Sequence, residues 1–541
     1  MTGSVLLENQ AHAPKALTGE YELPTGRHRV EVAYTIQANP AQLLNFLRIS
    51  LVDLAARRTL SSVILPRKRQ PDGEHKMARL HFTLGAPSRL ALAIAIDGPG
   101  RVAIHRIDFK PIGDEGMPAD PFALFINPDR GLTSERIVHQ GISSIGAYLQ
   151  ARGVASHALI TSTSSDEFIF DVVNRYDYKY VGFYTTSDDS VLGAVKSLIT
   201  GIKARRPDII AVAGGVHATL DPEDLMTRIP EVDLCVRGEG EETCFDLAAG
   251  KDWSAIAGLT YRAEGRLVHN APRPVLPLNQ LCAPLRDNYF NPDWSANSLS
   301  TSRGCPHQCH FCIGHRIFGR NIRFRPLEDI DRELQSLYET GDHSLILSIN
   351  DDMFNMKRDR TLALMELFKK YPFCYFPRGM RADRLDADTA RAMREAGVVG
   401  TSIGIECADD EALKAMRKGE TLAQIVQGIR HLQANGIDIV GQFMIGNIGD
   451  TLESVKRTID FIHEHDIRDL NISCAIPFPG TALRQYVSEN KLMLAKPHQV
   501  YQDVTNGNTT IFFETPRFPL ADRIKAVELV NAAGLYTRAR C

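Results

Sequence analysis

The spacing of hydrophobic and polar positions changes twice along this 541-residue chain. Up to about residue 117 the period is two: Val30, Val32, Tyr34 and Ile36 share one strand face, as do Leu80, Phe82 and Leu84. Leu90, Leu92, Ile94 and Ile96 repeat the pattern before the turn Asp97-Gly-Pro-Gly100. Beyond it the step from Ile104 to Ile107 breaks the alternation and predicts a β-bulge. Such strands between Gly/Pro turns predict an all-β, sandwich-like or jelly-roll domain over residues 1–117.

From 118 to 252 short apolar runs at 122–126, 180–184, 209–213 and 232–236 have the length of buried parallel strands. Amphipathic stretches at 137–152, 167–175, 190–205 and 222–229 lie between them. The alternation predicts a Rossmann-like, doubly wound α/β domain with its ligand at the carboxyl ends of the strands. The loops there are Asn127-Pro-Asp-Arg-Gly131, Thr185-Thr-Ser-Asp188, Gly214-Gly-Val-His-Ala-Thr219 and Arg237-Gly-Glu-Gly-Glu-Glu242. Residues 253–296 read as a linker. Six strands then follow at 297–301, 344–349, 374–377, 400–405, 438–445 and 469–475, with helices between them. They predict a partial β/α barrel of six units over 297–490, with functional residues on the C-terminal rim. Residues 491–541 form a C-terminal extension.

Composition narrows the setting. A formal charge of −3 with 23% charged residues gives no reason to expect a nucleic-acid partner. No apolar run reaches the roughly 18 residues of a membrane span, and the stretch Met1-Thr-Gly-Ser-Val-Leu-Leu-Glu8 lacks a basic region followed by an apolar one, so no secretory signal is expected. Ten cysteines without a disulfide rhythm suit a reducing, cytoplasmic compartment.

The chemistry concentrates at Cys305-Pro-His-Gln-Cys309-His-Phe-Cys312, a CxxxCxxC spacing. Three thiolates on so short a loop can each take one iron of a cubane, leaving the fourth iron without a protein ligand. A zinc site is the alternative, with His307, His310 or His315 as the missing ligand. The motif resembles the signature of the radical SAM superfamily, in which S-adenosylmethionine chelates the open iron of a 4Fe–4S cluster. The stretch Gly404-Ile-Glu-Cys-Ala-Asp-Asp-Glu-Ala-Leu-Lys-Ala-Met-Arg-Lys-Gly419 resembles another part of that family, as do Gly441–Thr451 and Pro477-Phe-Pro-Gly-Thr481. Asn447 and Ile448 depart from its usual Leu-Pro. The resemblance implies that Cys305, Cys309 and Cys312 hold the cluster. It also implies that Phe311, Asp351, Asp352, Arg381, Glu406 and Gly446 lie about S-adenosylmethionine, with Phe311 beside adenine and Glu406 on the ribose hydroxyls. The basic run Arg316, Arg320, Arg323 and Arg325 suggests phosphate binding, but resembles the family linker and reads as a solvated or structural face.

The glycine loops of residues 214–219 and 237–242 carry a second resemblance, to the cobalamin-binding domain that precedes many radical SAM enzymes. It implies cobalamin contacts from Thr185, Thr186, Ser187, Gly214, Gly215, His217, Gly238, Glu239 and Gly240. The DxHxxG motif that brings a histidine to cobalt elsewhere is absent, so the expectation is cobalamin without a protein histidine on cobalt. Together the two resemblances imply a cobalamin-dependent radical SAM methyltransferase, acting on an unactivated carbon of a small molecule or natural product. The steps implied are a 5′-deoxyadenosyl radical followed by methyl transfer from methylcobalamin, with flavodoxin or ferredoxin as electron donor.

Three other readings stand beside it. A cobalamin-dependent radical SAM cyclase, rearrangement or oxidation enzyme would carry the same motifs. A methylthiotransferase would need a second three-cysteine cluster, and only Cys235 and Cys244 precede Cys282. A non-catalytic carbohydrate-binding or scaffold protein would be built on the β domain. Cys374, Tyr375, Cys407 and Cys474, near strand ends, read as packing.

Overall fold

The computed structural model describes eight strands between Val5 and Ile112, then residues 117–128, 140–161, 166–186, 189–285, 298–339, 346–494 and 509–535. The N-terminal strands form two antiparallel sheets of four. One runs Val5–Asn9, Gly100–Ile112, Gly26–Ala38, Lys76–Leu84; the other runs Lys15–Leu23, Ser88–Asp97, Phe46–Asp53, Arg58–Pro66. Eight strands in two sheets is the jelly-roll plan. The bulge falls where the alternation breaks: Ala33 pairs with Arg106 and Tyr34 with Ile104, leaving His105 as the extra residue.

The second domain is a seven-stranded sheet in the order Ser156–Ile160, Ala123–Asn127, Tyr180–Tyr184, Ile210–Gly214, Leu234–Val236, Leu259–Ala263, Arg266–His269. The first five strands are parallel. Strand order reverses between Ala123–Asn127 and Tyr180–Tyr184, which puts a ligand crevice at the ends of those two strands. The edge strand Ser156–Ile160 was not expected, because Ser156 and His157 interrupt its apolar run. His157 is nevertheless buried, held by Tyr178 Oη at 2.6 Å and the Pro118 carbonyl at 2.9 Å. The expected linker needs a correction too. Its first part is a hairpin, Leu259–Ala263 and Arg266–His269, paired antiparallel onto the sheet. Glu264 and Gly265, with φ of 50° and 74°, make its two-residue turn.

The third domain carries six parallel strands: Ser298–Leu299, Ile346–Ile349, Cys374–Pro377, Gly400–Glu406, Asp438–Ile445 and Asp469–Cys474. Bridges Tyr375↔Val398 and Met380↔Ile403 join its two halves into one curved sheet. Along each strand the side chains alternate. Ile349, Tyr375, Ile403, Phe443 and Ile472 enter the core against the helices. Ser348, Phe376, Ser402, Gln442 and Asn471 lie on the opposite face and are only partly buried. That inner face is polar: Asn471 Nδ2 donates to Gln442 Oε1 at 3.3 Å, and Arg378 Nε to Ser348 Oγ at 2.9 Å. The C-terminal helix Leu520–Ala532 packs on Leu452–Glu464, and Phe518, Ala526 and Val530 join the barrel core. No helix among the described residues is long and apolar enough to cross a membrane.

Candidate active site

The cysteine loop leaves the first barrel strand and ends at the short helix Gly314–Phe318. Asp351 and Asp352, at the end of the next strand, hold it from beneath. Asp351 accepts the backbone N–H groups of Thr301 (2.6 Å) and Ser302 (3.1 Å) and the Ser302 hydroxyl (2.7 Å). Asp352 Oδ2 accepts the Gly304 N–H at 2.8 Å, and burial pushes its carboxyl up to about 6. Expected as cofactor contacts, both carboxylates use these acceptors on the chain that leads into Cys305. Cys305, Cys309 and Cys312 are free, half-buried thiols, and burial raises the pKa of each. Iron would therefore supply the drive for their deprotonation. Among the described residues no three His, Cys, Asp or Glu side chains converge on a point that would hold a single ion. A cubane does not ask for that, because each thiolate takes a different iron. The donor set fits such a cluster. His307 lies near Arg381, while His310 and His315 face a cleft on the outer side of the loop.

Glu406 ends the fourth strand with φ 67°, a left-handed conformation that costs a non-glycine residue energy and marks functional sites. The pairing register slips between Gly404 and Glu406, which re-aims the side chain. Glu406 Oε1 accepts from Lys418 Nζ at 3.0 Å, and both are buried. Burial works against the Lys418 ammonium, but Glu406 and Glu420 outweigh it and hold its pKa at about 12. Lys418 and Glu420 were missed in the sequence. The pair Lys418 and Glu420 flanking Gly419, at the end of the Gly404–Gly419 stretch, was the available signal. Arg381 donates to the carbonyls of Lys418 (2.6 Å) and Gly419 (2.8 Å) and to Asp383 (3.0 Å), so it fastens the turn that carries Lys418. Glu406 and Lys418 both act electrostatically on the Cys309 thiol, which puts the pair on the same rim as the cysteines. Phe311 is half-buried between the barrel core and the cluster of Phe512 and Phe513. The Gly446 N–H donates to Asp450 at 2.9 Å, and Arg523 of the C-terminal helix lies where a Gly446 side chain would go. Tyr375 and Cys407 sit in the barrel core and Cys374 and Cys474 are buried, as packing residues.

In the Rossmann-like domain Thr185 is buried at the strand end, its hydroxyl donating to the Gly214 carbonyl at 2.8 Å. Thr186 is half-buried beside it, and Ser187 lies outside the described residues, as do positions 129–131 of the first loop. Gly214 opens onto free space. A Cβ on Gly215 would stand 2.8 Å from the Thr185 carbonyl, so glycine is needed there for the chain's own packing. His217 is fully buried, with Nε2 3.0 Å from Asp224 Oδ2. Gly240 packs at Ile145, and the Gly238 N–H donates to Thr219 Oγ1 at 3.0 Å. Glu239, expected at cobalamin, has other partners. Its carboxylate receives Arg303 at 2.9 Å, Arg323 on both oxygens at 2.9 Å, and the Leu276 N–H at 3.1 Å. A buried carboxylate needs such compensation, and the guanidinium groups supply it.

Those bonds join the two α/β domains with their functional edges together. Arg303 also donates to Glu241 at 2.9 Å; burial alone would raise the Glu241 carboxyl, but Arg303 and Ser144 hold it below its usual range. The helix Val216–Leu220, which follows the Gly214 strand end, packs against Gly314–Phe318, which follows Cys312. A Cβ on Gly238 would stand 4.0 Å from the Ile317 carbonyl oxygen.

Residues 133–248 match the B12 binding domain, and residues 299–462 match the radical SAM superfamily. An uncharacterized methyltransferase of Pyrococcus horikoshii is 29% identical over 348 residues, covering 62% of this chain and 75% of that protein. The anaerobic magnesium-protoporphyrin IX monomethyl ester cyclase of Rubrivivax gelatinosus is 23% identical over 376 residues, 64% of this chain and 66% of the cyclase. The radical S-adenosylmethionine methyltransferase TsrM from Kitasatospora setae, solved with cobalamin and a 4Fe–4S cluster, shares the fold. Its TM-score is 0.61 at 20% identity, over 69% of this chain and 78% of that one. A B12 binding domain clamped edge to edge onto a radical SAM barrel makes this chain a member of the cobalamin-dependent radical SAM enzymes, whose cofactors are a 4Fe–4S cluster, S-adenosylmethionine and cobalamin.

Proposed function

We propose that the chain is a methyltransferase that methylates an unactivated carbon of a small polar molecule. The observation that carries this reading is the Arg303–Glu239–Arg323 clamp, which brings the glycine-loop edge of one domain to the cysteine loop of the other. When bound, the cluster and S-adenosylmethionine supply a radical that takes a hydrogen atom, and cobalamin supplies the methyl group. Cys305, Cys309 and Cys312 each hold one iron. Glu406, paired with Lys418, accepts hydrogen bonds from the ribose of S-adenosylmethionine, while Phe311 and Gly446 border it. Asp351, Asp352 and Arg381 act through the backbone they hold and are positioning residues. Thr185, Thr186, Gly214 and Gly238 line the cobalamin end of the gap. The His217–Asp224 pair at 3.0 Å supports cobalamin without that histidine on cobalt. The polar inner face of Ser348, Ser402, Gln442 and Asn471 supports a hydrogen-bonding substrate over a lipid, since apolar ligands leave such groups unpaired.

The name of the Rubrivivax relative supports a second reading, cyclisation or rearrangement without methyl transfer. Anaerobic turnover with S-adenosylmethionine deuterated on its S-methyl group separates the two. A methyltransferase carries the label into product and forms 5′-deoxyadenosine. Formation of 5′-deoxyadenosine with no label in any product would sink the methyl-transfer reading. Absence of 5′-deoxyadenosine across polar candidate substrates, in a chain loaded with all three cofactors, would favour a non-catalytic role.

A further inference from the structure

The basic run 316–325 divides in the structure. Arg323 is buried against Glu239, and Arg325 against Glu333 at 2.7 Å, as structural ion pairs. Arg316 and Arg320 instead stay exposed on the outer side of the cysteine loop. They border a cleft of about 350 Å³ whose wall includes Cys309, Arg320, Arg417 and Arg484. Arg316 reaches its far side, where its Nε would meet a Cβ on Gly480 at 2.8 Å. No Asp or Glu lines this cleft. Among the described residues none of the four arginines has a carboxylate partner, although most guanidinium groups nearby are paired. Four uncompensated cations in a chain of net charge −3 form a local positive field. None of the residues of the barrel's polar inner face lines this cleft, so the cleft is not the substrate's seat.

We propose that this cleft is the docking surface for a small acidic electron-carrier protein, and that electrons enter the cluster there past Cys309. The proposal rests on the reading that Cys309 holds an iron of the cluster. One electron passes from the reduced carrier to the oxidised cluster; the carrier is oxidised by one electron and no bond breaks. A protein partner fits better than a small phosphate. Arg316, Arg320 and Arg417 are spread along an exposed rim and do not converge in a buried floor. The helix Ala482–Glu489 beside them already has its N-terminus capped by Thr481, whose hydroxyl accepts the Arg484 N–H at 3.1 Å.

The test uses the cluster-loaded chain with a fully reduced flavodoxin as probe. Cluster reduction is followed by stopped-flow absorbance and binding by flavin fluorescence, each across a range of salt. In R320E/R417E we expect the flavodoxin rate to fall roughly tenfold or more at low salt, with its salt dependence flattened. Reduction by dithionite and iron content should stay unchanged. Should that variant lose iron, R320Q/R417Q carries the test with a smaller drop. Wild-type flavodoxin kinetics in an iron-replete variant would overturn the docking surface. Binding of inorganic phosphate in the cleft, with flavodoxin kinetics untouched by the substitutions, would assign it to a small anion and overturn it equally. Iron uptake that survives loss of all three cysteines would instead refute the cluster reading beneath it.

Discussion

Arg303 Nη1 lies 2.9 Å from Glu239 Oε1, and the contact ties the residue two positions before Cys305 to the glycine loop of the B12-binding domain. Arg323 grips the same carboxylate with both of its terminal nitrogens. Side chains of Glu239, Arg303 and Arg323 are 5%, 15% and 12% exposed, so water cannot replace the carboxylate if it is removed. Glu239→Ala should therefore cost roughly 3–5 kcal/mol, the range for breaking one partner of a buried pair. Glu241 still holds one arm of Arg303, which favours the lower end. Calorimetry should show the two α/β domains melting at separated temperatures in the variant. An unshifted melt would mean the pair holds nothing together.

Replacing Cys305, Cys309 and Cys312 together by alanine should abolish cluster assembly. Anaerobic reconstitution of the native chain is expected to give about four irons per chain, and the triple variant close to none. Iron and acid-labile sulfide assays decide it. Removing iron from the loaded chain with a chelator should leave the circular dichroism of the Rossmann-like domain intact, because its core has no cysteine ligand.

How much of this was legible depended on whether the signal lay within one segment. Strands that bury one face read from the apolar residues within their own segment, so Asp438–Ile445 and Cys374–Pro377 fell where the pattern put them. The edge strand Ser156–Ile160 did not, since its buried histidine depends on Tyr178, 21 residues away. The hairpin after Leu259 was taken for linker because the two-residue turn Glu264-Gly265 was passed over. The three cysteines stand out within one short segment by their CxxxCxxC spacing. The clamp was not, because Arg303 and Glu239 are 64 residues apart and neither stands out from its charged neighbours. The basic run 316–325 was read as a solvated or structural face without separating its members; burial sorts Arg323 and Arg325 inward into ion pairs and leaves Arg316 and Arg320 outside.

Glu406 should position S-adenosylmethionine and not transfer protons. Its carboxylate already pairs with Lys418, and losing its charge-assisted bonds to a ribose should cost roughly 1.5–3 kcal/mol, about ten- to a hundred-fold in affinity. Equilibrium dialysis should find Glu406→Gln weakened less than Glu406→Ala, with iron content unchanged in both. Lys418→Met should be worse for stability than either, since it leaves Glu406 and Glu420 buried without their shared cation. A Glu406→Ala variant that binds normally but shifts the pH profile of turnover would point to proton transfer.

The last expectation concerns Asp450, which follows the fifth barrel strand Asp438–Ile445. Its oxygens accept the N–H groups of Gly446 (2.9 Å) and Asn447 (3.1 Å) and the Ser454 hydroxyl (3.1 Å). Burial nevertheless raises its carboxyl to about 6, above the 3.8 of an unfolded aspartate. The folded chain therefore binds the proton more tightly than the unfolded one. Stability from this group is fully present below about pH 4 and falls as the pH rises through 6. Between pH 5 and 7 the loss should be roughly 1 kcal/mol, since one pKa unit corresponds to about 1.4 kcal/mol. Asp450→Asn keeps an acceptor for the two backbone N–H groups and removes the titration. The difference in urea midpoint between the variant and the native chain should therefore shift in the variant's favour from pH 5 to pH 7. A difference that stays flat, or runs the other way, would mean that Arg523, the nearby cation, holds the carboxylate ionised throughout.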